Sequence, residues 1–182
     1  ASIAAAVRRF GKEENGRTLL LAMVGDLRSI PVHASARTAV SAYNDPAFYA
    51  MAFSTFAFKA GRTSSADLLM RYISSLSNLQ IRFHTTGSEW LPRFISLADR
   101  SLDAKEDPSR AGWIHDIQNR GEAYFSRLQS LFALCCALPG IPGIYYGDEI
   151  AMPGAGPPDN HRVMRFDGLS SVQTDHRDAM AR

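Results

Sequence analysis

The sequence predicts an α/β protein built on a parallel sheet. Segments of helical periodicity alternate with short apolar runs about four times along the chain, the alternation expected of strands joined by crossover helices. Residues 18–24 form a continuous apolar run closed by Gly25, as expected for a strand covered on both faces. Two architectures satisfy this pattern: an open doubly wound sheet, or part of a (β/α)8 barrel. A closed barrel needs about 250 residues. Four units in 182 residues would therefore be half of one.

The elements follow in order. Residues 2–14 have helical composition, with Ile3, Val7 and Phe10 on one face and Asn15-Gly16 as the terminating pair. The strand at 18–24 leads into an irregular loop at 26–38, then a short strand at 39–43. Asn44-Asp45-Pro46 opens a helix over 47–60 that is apolar nearly all round and so predicted to be deeply buried. A second helix is expected at 65–76, introduced by Thr63-Ser64-Ser65. Residues 79–85 alternate as a strand, and a loop over 86–93 precedes a short apolar stretch at 94–98. The polar segment around 100–121 reads as a surface excursion. An apolar helix at 122–138 is broken by Pro139-Gly140, and a strand at 141–146 ends on Gly147-Asp148-Glu149. After a Gly- and Pro-rich stretch, a last helix begins near Ser170.

Composition removes several function classes. Hydrophobic residues at 46% and charged residues at 21% exclude wholesale disorder. Twenty Lys and Arg against 18 Asp and Glu leave a scattered +2, no footprint for a nucleic acid or an anionic membrane. No run of eighteen apolar residues predicts a membrane span. The adjacent Cys135 and Cys136 fit neither metal-ligand spacing nor a disulfide framework; they predict buried free thiols and a reducing, cytoplasmic setting. Residues 1–9 lack the order of a signal peptide and read as the middle of a helix, so a longer polypeptide is expected. Neither Gly11-Lys12 nor Gly154-Ala155-Gly156-Pro157-Pro158 meets the requirements of a phosphate loop, and no nucleotide cofactor is expected. His33, His115, His161 and His176 sit in loops or polar segments with no metal-ligand spacing, and most of them are expected at the surface.

In either architecture, function gathers where the carboxyl ends of the strands converge. Four ends qualify: Gly25-Asp26; Tyr43-Asn44-Asp45; His84 through Glu89 to Arg93; and Tyr145-Tyr146-Gly147-Asp148-Glu149. Carboxylates and aromatics there suit carbohydrate, which offers hydroxyls to the former and apolar ring faces to the latter. Each has a plainer structural reading. Asp26 can pair with Arg28, Asn44-Asp45 can cap a helix, and His84 can be a satisfied core imidazole.

The run Leu138-Pro139-Gly140-Ile141-Pro142-Gly143-Ile144-Tyr145-Tyr146-Gly147-Asp148-Glu149, continuing through Met152 to Asp167, resembles the eighth-strand region of the α-amylase family (glycoside hydrolase family thirteen). Pro92-Arg93-Phe94 is similar to the end of that family's seventh-strand motif, and Val24-Gly25-Asp26 to its fifth-strand Gly-Glu. Residues 41–57 resemble the sixth-strand region loosely. The resemblance implies the last four βα units of a partial (β/α)8 TIM barrel. It implies action on α-glucosidic bonds by retention, with α-glucan or malto-oligosaccharide as partner and carboxylates about 5–5.5 Å apart. The nucleophile's strand would lie upstream of Ala1. Asp26 takes the position of the acid/base Glu, short by one C–C bond of roughly 1.5 Å, and a misplacement of about 1 Å can cost about 10²-fold. Trp90 stands where the supporting Asp is expected, and Glu89 is the neighbouring carboxylate. His84, Glu89, Trp90, Arg93, Tyr146 and Asp148 are the implied substrate-binding residues.

Family members often carry calcium, but no calcium loop is visible, so no metal or other cofactor is expected. A half barrel leaves sheet edges open, and the missing half or a second copy of the chain is expected to cover them. Two functions follow from the resemblance: a glycosidase with an incomplete catalytic set, or a non-hydrolytic binder of glycan or protein in which Trp90 and Tyr146 stack on sugar rings. An unrelated α/β protein is the third reading.

Overall fold

The computed structural model describes residues 9, 21–22, 42–44, 46–58, 62–76 and 81–182. Four parallel strands, β1 (Leu21–Ala22), β2 (Ala42–Asn44), β3 (Ile81–Thr85) and β4 (Ile141–Gly143), form one sheet. They lie side by side in sequence order, with Ala42 opposite Ile81 and Phe83 opposite Ile141. The molecule is thus α/β with a parallel sheet, and the strand order shows no reversal among the described residues. The expected helix at 2–14 (apart from Arg9), Asp26 and its loop, and Asp45 lie outside the described residues, as do 79–80 of the expected third strand.

β4 is shorter than the expected 141–146. The Thr86 hydroxyl accepts the Tyr145 backbone N–H at 3.0 Å, and this side-chain bond draws the chain off the sheet after Gly143. The helix expected at 47–60 is also interrupted. α1 (Pro46–Ala52) passes into a π-helical turn at Phe53–Ala57, closed by the Phe58 N–H on the Phe53 carbonyl at 3.1 Å. Ser54 Oγ donates to the Ala50 carbonyl at 2.7 Å, a local bond of the kind that bends a helical ladder. α2 (Arg62–Ser75) starts three residues before the expected Ser65. First-turn N–H groups have no intrahelical partner in any case, so Thr63 and Ser64 fit inside the helix.

The apolar stretch at 94–98 is α3 (Phe94–Ala98), five residues that are all buried. The excursion at 100–121 is more ordered than its polarity suggests. It contains α4 (Pro108–Ile114), capped by Asp107, whose carboxylate accepts from Ser109 N at 3.0 Å and Ser109 Oγ at 2.7 Å. Buried Leu102, Ala111 and Ile117 fasten it to the core. The Asp107-Pro108 pair is a helix start legible in the sequence.

A 3₁₀ turn at Glu122–Tyr124 leads into α5 (Phe125–Ala137), with Phe125, Leu128, Leu131 and Cys135 on its buried stripe. One residue on, the helix has turned by about 100°, so Cys136 is exposed. Only Cys135 is the buried thiol expected of the pair, and burial pushes it up to about 12, leaving it protonated and inert. α6 (Ser171–Met180) opens with a reciprocal capping box between Ser170 and Gln173.

His176 departs from its expected surface position. It lies on the 172/176/180 stripe of α6, between partly buried Val172 and buried Met180, and is itself buried. That spacing of four was a core signal in the sequence. Its Nδ1 accepts from Gln129 Nε2 at 3.1 Å, so Nε2 carries the hydrogen and donates to the Asp148 carbonyl at 3.0 Å. His115 and His161 are exposed as expected. His33 lies outside the described residues.

Burial holds the His176 imidazole below its usual pKa. The unfolded chain therefore takes up a proton, as pH falls through about 6.5, that the folded chain refuses. Stability from this group is complete above that pH and declines below it. Urea unfolding at pH 7 and pH 5 is expected to show a larger loss for the native chain than for His176→Asn. Equal losses would remove His176 from the acid response.

A candidate functional site at the ends of β3 and β4

The carboxyl ends of β3 and β4 meet at Thr86, the first residue beyond β3. Its backbone N–H donates to the Gly143 carbonyl at 3.2 Å, and its hydroxyl accepts from Tyr145 N while donating to Asp148 Oδ2 at 2.6 Å. One buried side chain thus joins the two strand ends. Asp148 opens the 3₁₀ turn Asp148–Ile150 and is fully buried. Gly147, at φ +87°, turns the chain into that position through the left-handed region that glycine enters without strain.

Arg93 enters the same place from the opposite loop. Its Nη1 lies 3.4 Å from Asp148 Oδ1 and also donates to the Tyr146 carbonyl. Nε and Nη2 donate to the Asn160 carbonyl at 3.1 and 2.7 Å. Its guanidinium carbon sits 4.4 Å from the Tyr145 ring centre and 4.7 Å from that of Tyr146. Loss of hydration raises the Asp148 carboxyl to about 6, against the opposing pull of Arg93 and the Thr86 hydroxyl. Burial likewise lifts the Tyr145 phenol to about 12, so that it stays protonated.

The loop after β3 is held from outside by Asn160. Its amide donates to the Glu89 carbonyl at 2.9 Å and the Leu91 carbonyl at 2.8 Å, and His161 Nε2 donates to the Glu89 carbonyl at 3.1 Å. Ser88 is buried and its Oγ accepts the Trp90 N–H at 3.3 Å. These bonds engage the backbone and leave the side chains of Glu89 and Trp90 outward, with Trp90 55% exposed. Tyr146 is 39% exposed; its hydroxyl donates to the Arg162 carbonyl at 3.2 Å and its ring stands edge-on to Tyr145.

The residues expected to bind substrate fall into two sets. Glu89, Trp90 and Tyr146 are exposed. His84, Arg93 and Asp148 have essentially no exposed surface, which corrects their expected direct contact with a ligand. His84 is enclosed by aromatic rings, 4.9 Å from Phe48 between centroids, with its Nε2 2.7 Å from the Tyr72 hydroxyl. Each sits near a strand or loop end whose neighbours close over it, and Arg93 and Asp148 spend their polar atoms on protein partners. Thr86 and Asn160 were not anticipated. Nothing in their spacing marks them, because their partners lie about sixty to seventy residues away. The described residues contain no cluster of His, Cys, Asp or Glu able to hold a metal ion. Chemically, the exposed set offers the rings of Trp90 and Tyr146 and the carboxylate of Glu89.

Neither a family model nor a curated protein sequence matches the chain. Solved structures do. An Anoxybacillus α-amylase superposes with a TM-score of 0.66 at 20% identity, covering 98% of this chain and 35% of its own. The fold is similar to that of a stretch of an α-amylase. An α-amylase from Geobacillus thermoleovorans, complexed with acarbose, gives 0.60 at 22% identity, with coverage of 98% and 38%. The cyclic α-maltosyl-(1→6)-maltose hydrolase of Arthrobacter globiformis in its ligand-free form gives 0.66 at 15% identity, with coverage of 98% and 37%. This chain therefore spans little more than a third of these three structures.

If Thr86 joins the strand ends, Thr86→Val should orphan the part-buried Tyr145 N–H and remove a donor from buried Asp148 with little change of shape. A cost of about 2–4 kcal/mol is expected by urea unfolding, since each buried group left unpaired costs about 1–3 kcal/mol, more when charged. A change below about 0.5 kcal/mol would remove Thr86 from that role.

Proposed function

We propose that the chain is the second half of the catalytic barrel of an α-amylase-type retaining glycosidase acting on α-glucosidic bonds of oligo- or polysaccharides. The observation that carries this reading is the sheet: four parallel strands in unbroken sequence order, matching enzymes of α-glucans over 98% of the chain. An open doubly wound sheet reverses its strand order at the point where it binds ligands; consecutive staves of a barrel do not. The eighth-strand resemblance at residues 138–167 adds sequence support.

In this reading a carboxylate nucleophile comes from a strand upstream of these residues, and Asp26 stands at the acid/base position. Glu89, Trp90 and Tyr146 form the glucan-facing rim of the last two units, while Arg93 and Asp148 hold that rim from behind. The chemistry is carried by carboxylates and asks no metal or cofactor of these residues. The upstream half, or a second copy, pairs with the outer edge of β4, which has no partner strand among the described residues.

A second reading has one specific observation in its favour. Trp90 replaces the carboxylate that would support the charged transition state, and its exposed indole is suited to stacking on a sugar ring. In that case the domain binds α-glucan without cleaving it.

The two are separated by joining the chain to its upstream sequence and supplying an activated α-glucoside. Slow turnover, reduced at least about 10²-fold by Asp26→Asn, is expected for the glycosidase; removing a catalytic acid or base costs about 10²–10⁴. Malto-oligosaccharide binding without turnover, weakened by Trp90→Ala, selects the binding domain. Neither turnover nor binding rejects both.

A further inference from the structure

Both ends of the loop that joins β3 to α3, residues 86–93, converge on one carboxyl. At its start Thr86 donates to Asp148 Oδ2 at 2.6 Å, and Gly87 packs so closely that a Cβ there would lie 3.3 Å from the same oxygen. At its end Arg93 Nη1 stands 3.4 Å from Oδ1. The middle of the loop carries exposed Glu89 and Trp90. Asp148 is thinly solvated for an ion. It has no exposed surface, and among the described residues Thr86 and Arg93 are the partners of a carboxylate with about four acceptor sites. Arg93 depends on the pair much less. Its shorter bonds go to the Asn160 and Tyr146 carbonyls, and two rings face its guanidinium. A neutral Asp148 therefore suits the closed loop better than an ionised one, whereas an opened loop would return the carboxyl to water, where the ion is favoured.

We propose that Asp148 is an acid-tightened latch on the loop after β3: a proton taken up from water by its carboxylate holds residues 86–93 closed, and loss of that proton near neutral pH loosens them. Burial places the carboxyl at about 6, against about 3.9 for an Asp in water. Between those values closing the loop binds a proton, so acid favours the closed form. The groups around it do not supply this response. The Cys135 thiol on α5 and the Tyr145 phenol both lie at about 12 and stay protonated. Glu149, next in the chain, opposes ionisation of Asp148, while Tyr146 and Glu89 act on Tyr145. His161 donates through Nε2 to the Glu89 carbonyl in either of its charge states. His176, on the Asp148 backbone carbonyl, works in the opposite sense, because burial holds it below its usual value and acid loosens α6. Acid thus tightens the loop while it weakens the last helix, an opposition that no uniform change of stability produces. The proposal concerns the loop itself and does not depend on the glucan reading.

Hydrogen exchange of the full chain at pH 7 and pH 5, corrected for the intrinsic effect of pH, tests it. At pH 5 an acid titrating near 6 is about nine-tenths protonated, which raises the closed-to-open ratio about tenfold. Residues 86–93 and 145–152 should accordingly exchange about tenfold more slowly at pH 5, while 171–180 gain no protection. Asp148→Asn should abolish the pH response of the loop. The carboxyl carbon resonance of Asp148 in the native chain should titrate near 6, and this measurement decides the matter if the variant fails to fold. A midpoint at or below about 4, or loop exchange that is equal or faster at pH 5, would overturn the latch. So would a loop response that persists in Asp148→Asn, or an equal slowing of exchange in every strand and helix.

Discussion

A buried carboxylate at the end of β4 organises this half of the molecule. Asp148 is removed from water, and an ion in that position persists only with a charged partner and hydrogen bonds to its remaining lone pairs. Arg93 supplies the charge and Thr86 a hydrogen bond. Arg93 in turn needs acceptors for its other N–H groups and finds them on Tyr146 and Asn160. Asn160 uses its amide to fix the loop that presents Glu89 and Trp90. His176 donates to the Asp148 carbonyl and so ties α6 to the same point. One desolvated charge therefore sets the positions of the loop after β3, the turn after β4 and the last helix.

The arrangement separates holding from touching. Charged residues that a sequence pattern places at strand ends are easily taken for ligand contacts, because in α/β folds that is where ligands bind. Here the charges of Arg93 and Asp148 face inward and hold one another, while the rings of Trp90 and Tyr146 are exposed. An aromatic surface on a rigid base loses little conformational entropy when it binds. This is suited to carbohydrate, where affinity is assembled from several modest contacts along a chain.

Much of the fold was legible in the sequence. Alternation of strand and helix, the apolar stripe of α5, the Pro139-Gly140 break and the Ser170 cap all depend on local chemistry, and each appears where expected. Three features were not. β4 ends early because a side chain from residue 86 takes the N–H of residue 145; a bond across 59 residues leaves no local trace. α4 was hidden by the polarity of its segment, although Asp107-Pro108 announced it. His176 is the exception among histidines mostly expected at the surface, because the polarity of its segment hid the 172/176/180 stripe that buries it. For the site, the family resemblance named Glu89, Trp90 and Tyr146 as substrate-binding residues, and they are exposed, whereas the burial of His84, Arg93 and Asp148 depends on packing from elements far apart in sequence.

The central claim is that a glucan lies on the aromatic rim while the buried ion pair beneath it stays closed. A crystal structure with bound malto-oligosaccharide tests this directly. The account predicts a glucose ring against Trp90 or Tyr146, with Arg93 still paired to Asp148 and no sugar atom within hydrogen-bonding distance of either. A sugar hydrogen-bonded to Arg93 or Asp148, with the pair opened to admit it, would contradict the account.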